Sequence, residues 1–343
     1  MLNKAFAKLI NEIPQSKWEE CMEIGSFRSL RIEGMTERKF SLIAKCKIRG
    51  QIDCNVVYIK FYKNYYQKPE KELTNIIERD FRDLVHWYEK FKCSDQFHVV
   101  KPLFVLPNKS MLVTREVAGE DLHQLLIDFD WLFASKKNFQ YLRDKIHNAG
   151  AWLHYFHSIQ TSKDDIYSID DLLEYMDIRL KILTEEGKRH FPEIYREKIH
   201  DFIEKNRLLV SETELEVNLS HSDFNPGNII VNGDSVTVLD FGKVKKESFL
   251  LDVSRFYHQL FLMTFKPNVR QKMIRNLQRA LLEGFGKPGA NQLTIFKFLL
   301  IRHTLTHLVG ITRFWQKKFQ ERVYNYWVLY NELKFLDSFL DEN

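Results

Sequence analysis

The apolar positions change period several times along the chain. Leu2, Phe6, Leu9, Ile10 and Ile13 recur at helical spacing until Pro14, which ends that helix. From Phe27 to Tyr62 the pattern takes the period of strands. Phe27–Ile32, Lys39–Ile48 and Val56–Tyr62 predict a three-stranded antiparallel meander, with turns at Glu33–Arg38 and Arg49–Asp53. Pro69, followed by Glu70 and Glu72, opens a helix that runs to about Phe91. Its predicted buried stripe is Leu73, Ile77, Phe81, Leu84 and Tyr88. Two short strands, around Val99–Val105 and Ser110–Arg115, precede a break at Glu116–Leu122. Helical spacing then dominates through Phe139–Ile159, Ile169–Leu183, Phe191–Leu209, Phe249–Phe265, Val269–Leu282, Leu293–Phe314 and Arg322–Leu340.

Residues 219–242 interrupt the helices. Leu219-Ser220-His221-Ser222-Asp223-Phe224-Asn225-Pro226-Gly227-Asn228 is a polar, turn-rich stretch between short apolar runs, followed by Val236–Leu239 and Asp240-Phe241-Gly242. Asp223, Asn228 and Asp240 supply oxygen ligands or acceptors of the kind that metal-assisted phosphoryl transfer uses. From its strand alone, Lys60 reads as a solvent-facing lysine. Glu78 reads as an exposed glutamate bordering its helix's stripe.

Composition adjusts this picture only slightly. A chain of 343 residues is long enough for two lobes, and 44% hydrophobic and 28% charged residues are ordinary for a globular protein. The net charge of +5 is too small over this length to imply nucleic acid. The charge is uneven: 15 acids face nine bases over residues 161–216, whereas 13 bases face six acids over residues 265–343. Cys21, Cys46, Cys54 and Cys93 form no C-x-x-C pair and read as reduced thiols of a cytoplasmic protein. No signal-like apolar run opens the chain. The greasiest segment, Phe249–Phe265, is broken by Asp252, Arg255 and His258, so no integral membrane segment is expected.

The pattern His221-x-Asp223-x4-Asn228, followed by Asp240-Phe241-Gly242, resembles the catalytic core of the protein-kinase-like superfamily. The wording H-S-D-F-N-P-G-N is closest to its aminoglycoside phosphotransferase and choline kinase branch. A shorter resemblance, in Tyr58–Tyr62 and Leu112–Arg115, points to lipopolysaccharide-core sugar kinases. These resemblances imply a two-lobed α+β fold. Residues 1–117 would form a β-rich nucleotide-binding lobe, and residues 118–343 a helical lobe with the catalytic loop and acceptor site. They imply ATP and Mg2+ as cofactors, Asp223 as the catalytic aspartate, and Asn228 and Asp240 as metal ligands. Lys60 would contact nucleotide phosphates, with Glu78 as its ion-pair partner and Glu72 as the runner-up. The backbone of Glu116 and Val117 would meet adenine. His221 would hold the loop in shape, and Asp252-Val253-Ser254-Arg255 resembles a segment that is usually structural.

The implied function is transfer of the γ-phosphoryl group to a hydroxyl of a small-molecule or glycan acceptor. The dozen residues between Asp240 and Asp252 leave no room for an activation loop that would hold a peptide. Retention of Lys60, Asp223, Asn228 and Asp240 argues against the alternative of a non-catalytic pseudokinase. Arg302, His303, His307, Arg313, Lys317 and Lys318, with Trp315, suit an anionic sugar or a glycolipid, which would bring a peripheral membrane contact. The acidic helices of 161–216 suit an aminoglycoside or choline-type amine instead. His303-x-x-x-His307 lacks the glutamate of a zinc-protease helix and reads as pocket or solvated histidines.

Overall fold

The computed structural model describes residues 2–160, 165–186, 191–312 and 318–342. Arg313, Trp315 and Lys317 lie outside the described residues. In chain order the elements are α1 (Leu2–Asn11), α2 (Gln15–Cys21), β1 (Phe27–Glu37), β2 (Ser41–Gly50), β3 (Cys54–Tyr62), α3 (Glu70–Phe91), β4 (Phe97–Val99), β5 (Pro102–Leu106), β6 (Met111–Arg115) and β7 (Glu120–Asp121). There follow α4 (Leu122–Asp128), α5 (Lys136–Ser158), α6 (Ile169–Glu186), α7 (Ile194–Asn206), β8 (Val217–Ser220), β9 (Ile229–Asn232), β10 (Ser235–Val238), β11 (Lys245–Ser248), α8 (Leu251–Leu262), α9 (Gln271–Gly284), α10 (Thr294–Ile311) and α11 (Phe319–Glu342). The fold is α+β, and contacts divide it into two units. One comprises Met1–Glu120 with Ile230–Val244, the other Asp121–Ile229 with Lys245–Asn343.

In the first unit β1, β2, β3, β6 and β5 form one antiparallel sheet in that order. Alternation along β2 buries Leu42, Ala44, Cys46 and Ile48, which meet Val57 and Ile59 of β3 beneath Phe6 and Ile10 of α1 and Trp18 of α2. Trp18 closes this core edge-on against Phe104 of β5 at 5.0 Å between ring centroids. β1 is longer than its alternation suggests. The expected turn at Glu33–Arg38 is mostly strand, because a register shift between Ile32 and Gly34 absorbs the break in phase. Gly34 therefore lies within a bulged edge strand, not in a turn. Residues 230–244 join this unit because β10 adds in parallel to β4, pairing Val236 with Phe97 and Val238 with Val99.

The second unit is mostly helical. α5 and α9 cross closely because each presents a glycine to the other's backbone. A Cβ on Gly150 would lie 2.2 Å from Leu281 O, and one on Gly284 would lie 2.0 Å from His147 O. α10 is buried on nearly every side, which explains why its sequence shows little amphipathic pattern. β8 and β11 pair antiparallel, Ser220 opposite Lys245, and bracket the catalytic-type loop in this unit. Among the described residues, no helix is long and apolar enough to cross a membrane.

Candidate active site

Lys60 sits near the end of β3, between Ile43 of β2 and Leu112 of β6. Its Nζ lies 2.7 Å from Asp240 Oδ1, although the two residues are 180 positions apart. It also stands 4.9 Å from the centre of the Tyr62 ring. Asp240 lies two residues beyond the end of β10 and has φ +63°, a left-handed conformation unusual for a residue with a side chain. Phe241 is buried beside Trp87 of α3, anchoring the turn. Gly242 follows, and a Cβ there would lie 2.4 Å from Asp80 Oδ2. A side chain there would have to displace the Asp80 carboxylate.

The expected partner of Lys60 on α3 was Glu78, with Glu72 as runner-up, but both are exposed. Glu72 instead pairs with Lys68. The carboxylate that senses Lys60 belongs to Asp80, which is buried and accepts a hydrogen bond from Tyr62 Oη at 3.2 Å. The reason is helical phase. The buried stripe of α3 runs Ile77, Asp80, Leu84, Trp87 and Phe91, so Asp80 faces inward and Glu78, two residues and about 200° away, faces out. Spacing from Trp87 and Phe91 was the sequence signal that could have found Asp80.

Burial is the main cause that pushes the Asp80 carboxyl up to about 6, against the pull of Lys60 and of the Tyr62 hydrogen bond, while Asp240 adds repulsion. This has a consequence for stability. The folded chain holds the proton more tightly than the unfolded chain, so the contribution is full below about pH 4 and is lost as pH rises through about 6. Its full size is on the order of 2–3 kcal/mol. Asp80→Asn should flatten that part of the stability profile. Relative to the parent it should gain stability between pH 5 and pH 8, as chemical denaturation at both pH values would measure; an unchanged difference would refute the assignment.

At the expected hinge, the Glu116 N–H already donates to Val56 O at 3.0 Å, and its carboxylate pairs with Lys45 at 2.7 Å. Of the groups expected to meet a base there, the carbonyl of Glu116 and the backbone of Val117 remain.

In the second unit the loop after β8 is gripped by the first turn of α8. Asp252 is buried, and its two oxygens accept the backbone N–H groups of His221, at 2.6 Å, and Ser222, at 2.9 Å. Burial raises the Asp252 carboxyl above its ordinary range, with His221 and Ser220 pulling the other way. These bonds hold Ser222 at φ +60°. Asp223 follows, its N–H directed to His221 Nδ1 at 3.3 Å and its Oδ1 taking Arg255 Nη2 at 2.7 Å and Asn225 Nδ2 at 3.1 Å. Phe224 is buried flat against Trp152 of α5, 5.6 Å between centroids at 15°. That stack seats the loop on the long helix.

Asn225 caps a short 3-10 turn, accepting the Gly227 N–H at 3.0 Å, and Pro226 occupies its first position. This turn returns Asn228 to the loop, where its Nδ2 donates to the Asp223 carbonyl at 2.9 Å. The side-chain oxygen of Asn228 is thereby left as the acceptor, a neutral hard donor of the type Mg2+ takes. Asp240 offers a charged one. Among the described residues no group of three His, Cys, Asp or Glu could hold a metal.

Arg255 is the residue that sequence reasoning assigned to a structural segment and that the structure brings to Asp223. Three of the residues expected to receive an anionic acceptor, Arg302, His303 and His307, are instead engaged within the unit. Arg302 is buried, 3.2 Å from Glu247 Oε2 and against the Tyr175 ring. His303 bonds Ser254 Oγ at 3.0 Å, and His307 Nδ1 lies 2.9 Å from the buried Glu332. Lys318 is exposed.

Three solved structures illustrate the fold's relatives. A choline kinase from Cryptosporidium parvum is 11% identical, with a TM-score of 0.55, covering 100% of this chain and 97% of its own. An amicoumacin kinase solved with AMP-PNP, Ca2+ and its substrate is 11% identical, with a TM-score of 0.55 and the same coverage. A streptomycin–ATP complex of APH(2")-IIa is 15% identical, with a TM-score of 0.51, covering 93% of this chain and 97% of its own. No curated protein matches the chain significantly. The family model of the phosphotransferase enzymes, APH, matches residues 112–289, just over half of the chain and including both the loop at Asp223 and the turn at Asp240. The chain therefore belongs to the phosphotransferase enzyme family.

Proposed function

We propose that this phosphotransferase moves the γ-phosphoryl group of ATP, with Mg2+, to a hydroxyl of a sugar-containing small molecule that is neutral or cationic. The observation that carries the nucleotide half is the meeting of Lys60 and Asp240 at 2.7 Å. A strand lysine and a metal-type aspartate, remote in sequence, occupy one corner of one unit. Lys60 is the phosphate contact in this reading, and Asp80 the carboxylate behind it, in place of Glu78. The Glu116 carbonyl and the Val117 backbone are the groups for the base.

Asp223 orients the acceptor hydroxyl and takes its proton as the bond to phosphorus forms. Asn228 and Asp240 are the residues that would hold Mg2+, which would supply charge neutralisation at the phosphates. Arg302, His303 and His307 are consumed by internal partners, which removes the case for an anionic sugar or a glycolipid docking on them. An aminosugar or amino-alcohol suits the acidic excess of residues 161–216 better. The proposed division of labour places the nucleotide on the β-rich part up to about residue 117 and the acceptor on the helical part.

The test is an ATP-consumption screen over neutral sugars, aminosugars, amino-alcohols and acidic sugars, with Asp223→Ala as the blank. Turnover is expected with a neutral or cationic hydroxyl compound and should disappear in the variant. ATP binding without turnover on any acceptor would favour a pseudokinase. Turnover restricted to acidic sugars would overturn the acceptor class.

A further inference from the structure

We propose that Arg255 is the positioning residue of the catalytic aspartate, holding the Asp223 carboxylate by its Oδ1. This rests on the reading of Asp223 given above.

The geometry is specific. Arg255 lies one turn into α8 and reaches the loop with both ends of its fork. Nη2 donates to Asp223 Oδ1 at 2.7 Å, and Nη1 donates to the Ser222 carbonyl at 3.2 Å. The Asp223 side chain is 17% exposed and that of Arg255 34%, so the pair is only partly screened by water. Arg255 Nε is buried with no hydrogen-bond partner. Leaving a buried guanidinium N–H unbonded is costly, and it is tolerated here because the fork is committed to the loop. Asp252, three residues earlier on the same helix, takes the N–H groups of His221 and Ser222. One helical turn thus fixes the amides, the carbonyl and the carboxylate of a single loop.

The chemistry gives this arrangement a purpose beyond stability. Phosphoryl transfer through a loose transition state gains most from orientation of the incoming hydroxyl. A carboxylate rotates about its Cα–Cβ and Cβ–Cγ bonds unless one oxygen is tied. Arg255 and Asn225 both tie Oδ1, which fixes the direction in which the carboxylate is presented. Charged or titratable groups at this loop include His221, whose Nδ1 faces the Asp223 N–H, and Asp252.

Arg255→Ala should lower kcat by about a hundredfold and leave KM for ATP within about threefold, because Arg255 acts through Asp223. Millimolar guanidinium ion should restore part of the lost rate. Arg255→Lys keeps the charge but cannot span both acceptors, and should give an intermediate kcat. A purely structural role would show instead as a lowered melting temperature and no rescue by guanidinium. That pattern, or a parental kcat in both variants, overturns the inference. Asp223→Asn separates the two readings: if it is inactive while the Arg255 variants behave as the parent, only the positioning role fails. If Asp223→Asn stays active, the assignment of Asp223 itself fails.

Discussion

Asp223→Asn is expected to lower kcat by about 10³-fold, at the upper part of what a positioned proton acceptor contributes, with little change in stability. The side-chain amide is nearly isosteric, and its oxygen can still accept from Arg255 Nη2 and Asn225 Nδ2. The stack of Phe224 on Trp152 does not involve the carboxylate, so the loop keeps its seat. What disappears is the negative oxygen that would draw the acceptor proton. KM for ATP should change little, because nucleotide contacts are assigned to other residues. Steady-state kinetics at saturating acceptor, beside a thermal melt, would measure both. A kcat within tenfold of the parent would show that the hydroxyl is activated elsewhere.

The second large effect is expected at Asp252. Asp252→Ala removes the acceptor of two backbone N–H groups, those of His221 and Ser222, inside a buried site. Each stranded amide costs about 1–3 kcal/mol, so a loss of roughly 2–5 kcal/mol is expected on denaturant unfolding. The damage should extend to catalysis. Ser222 has φ +60°, and a residue with a side chain keeps that conformation only while its surroundings hold it there. Released, the turn would relax and carry Asp223 away from Arg255. Loss of kcat should therefore exceed what the fraction unfolded explains, at temperatures where the variant is still folded. Asp252→Asn, which keeps one acceptor oxygen but points an NH2 at the other amide, should fall between the parent and the alanine variant. A stability equal to the parent's in Asp252→Ala would mean that those amides find other partners.

Both residues come from stretches of very different legibility. Asp223, Asn228 and Asp240 could be picked out as candidates directly, because a loop and the hairpin after it are local: their spacing is set by a few turns and short strands. Lys60 could be placed on its strand by alternation, but its meeting with Asp240 could not, because β3 and β10 belong to different sheets. The long β1 was misjudged because a bulge resets the alternation, and a sequence with no partner strand in view cannot show where the reset occurs. The nomination of Glu78, with Glu72 behind it, took no account of helical phase, which buries Asp80 and leaves Glu78 exposed. Adjacent acidic residues on α3 differ by 100° per position, and the packing of Trp87 and Phe91 decides which of them turns inward. The cationic residues of α10 looked like ligands because their partners, Glu247, Ser254 and Glu332, lie on other elements 25 to 55 residues away.

By itself, then, the amino-acid order determined the α+β class and the family, and it nominated Asp223, Asn228 and Asp240 for the orienting and metal-type roles. These follow from short-range backbone geometry, which spacing encodes. Only the tertiary structure decided that Asp80 stands behind Lys60, that Arg255 and Asp252 hold the loop at Asp223, and that Arg302, His303 and His307 serve the core. Those are pairings between surfaces of separate elements. They depend on how each helix is rotated when its apolar face is buried, and no local pattern records that rotation.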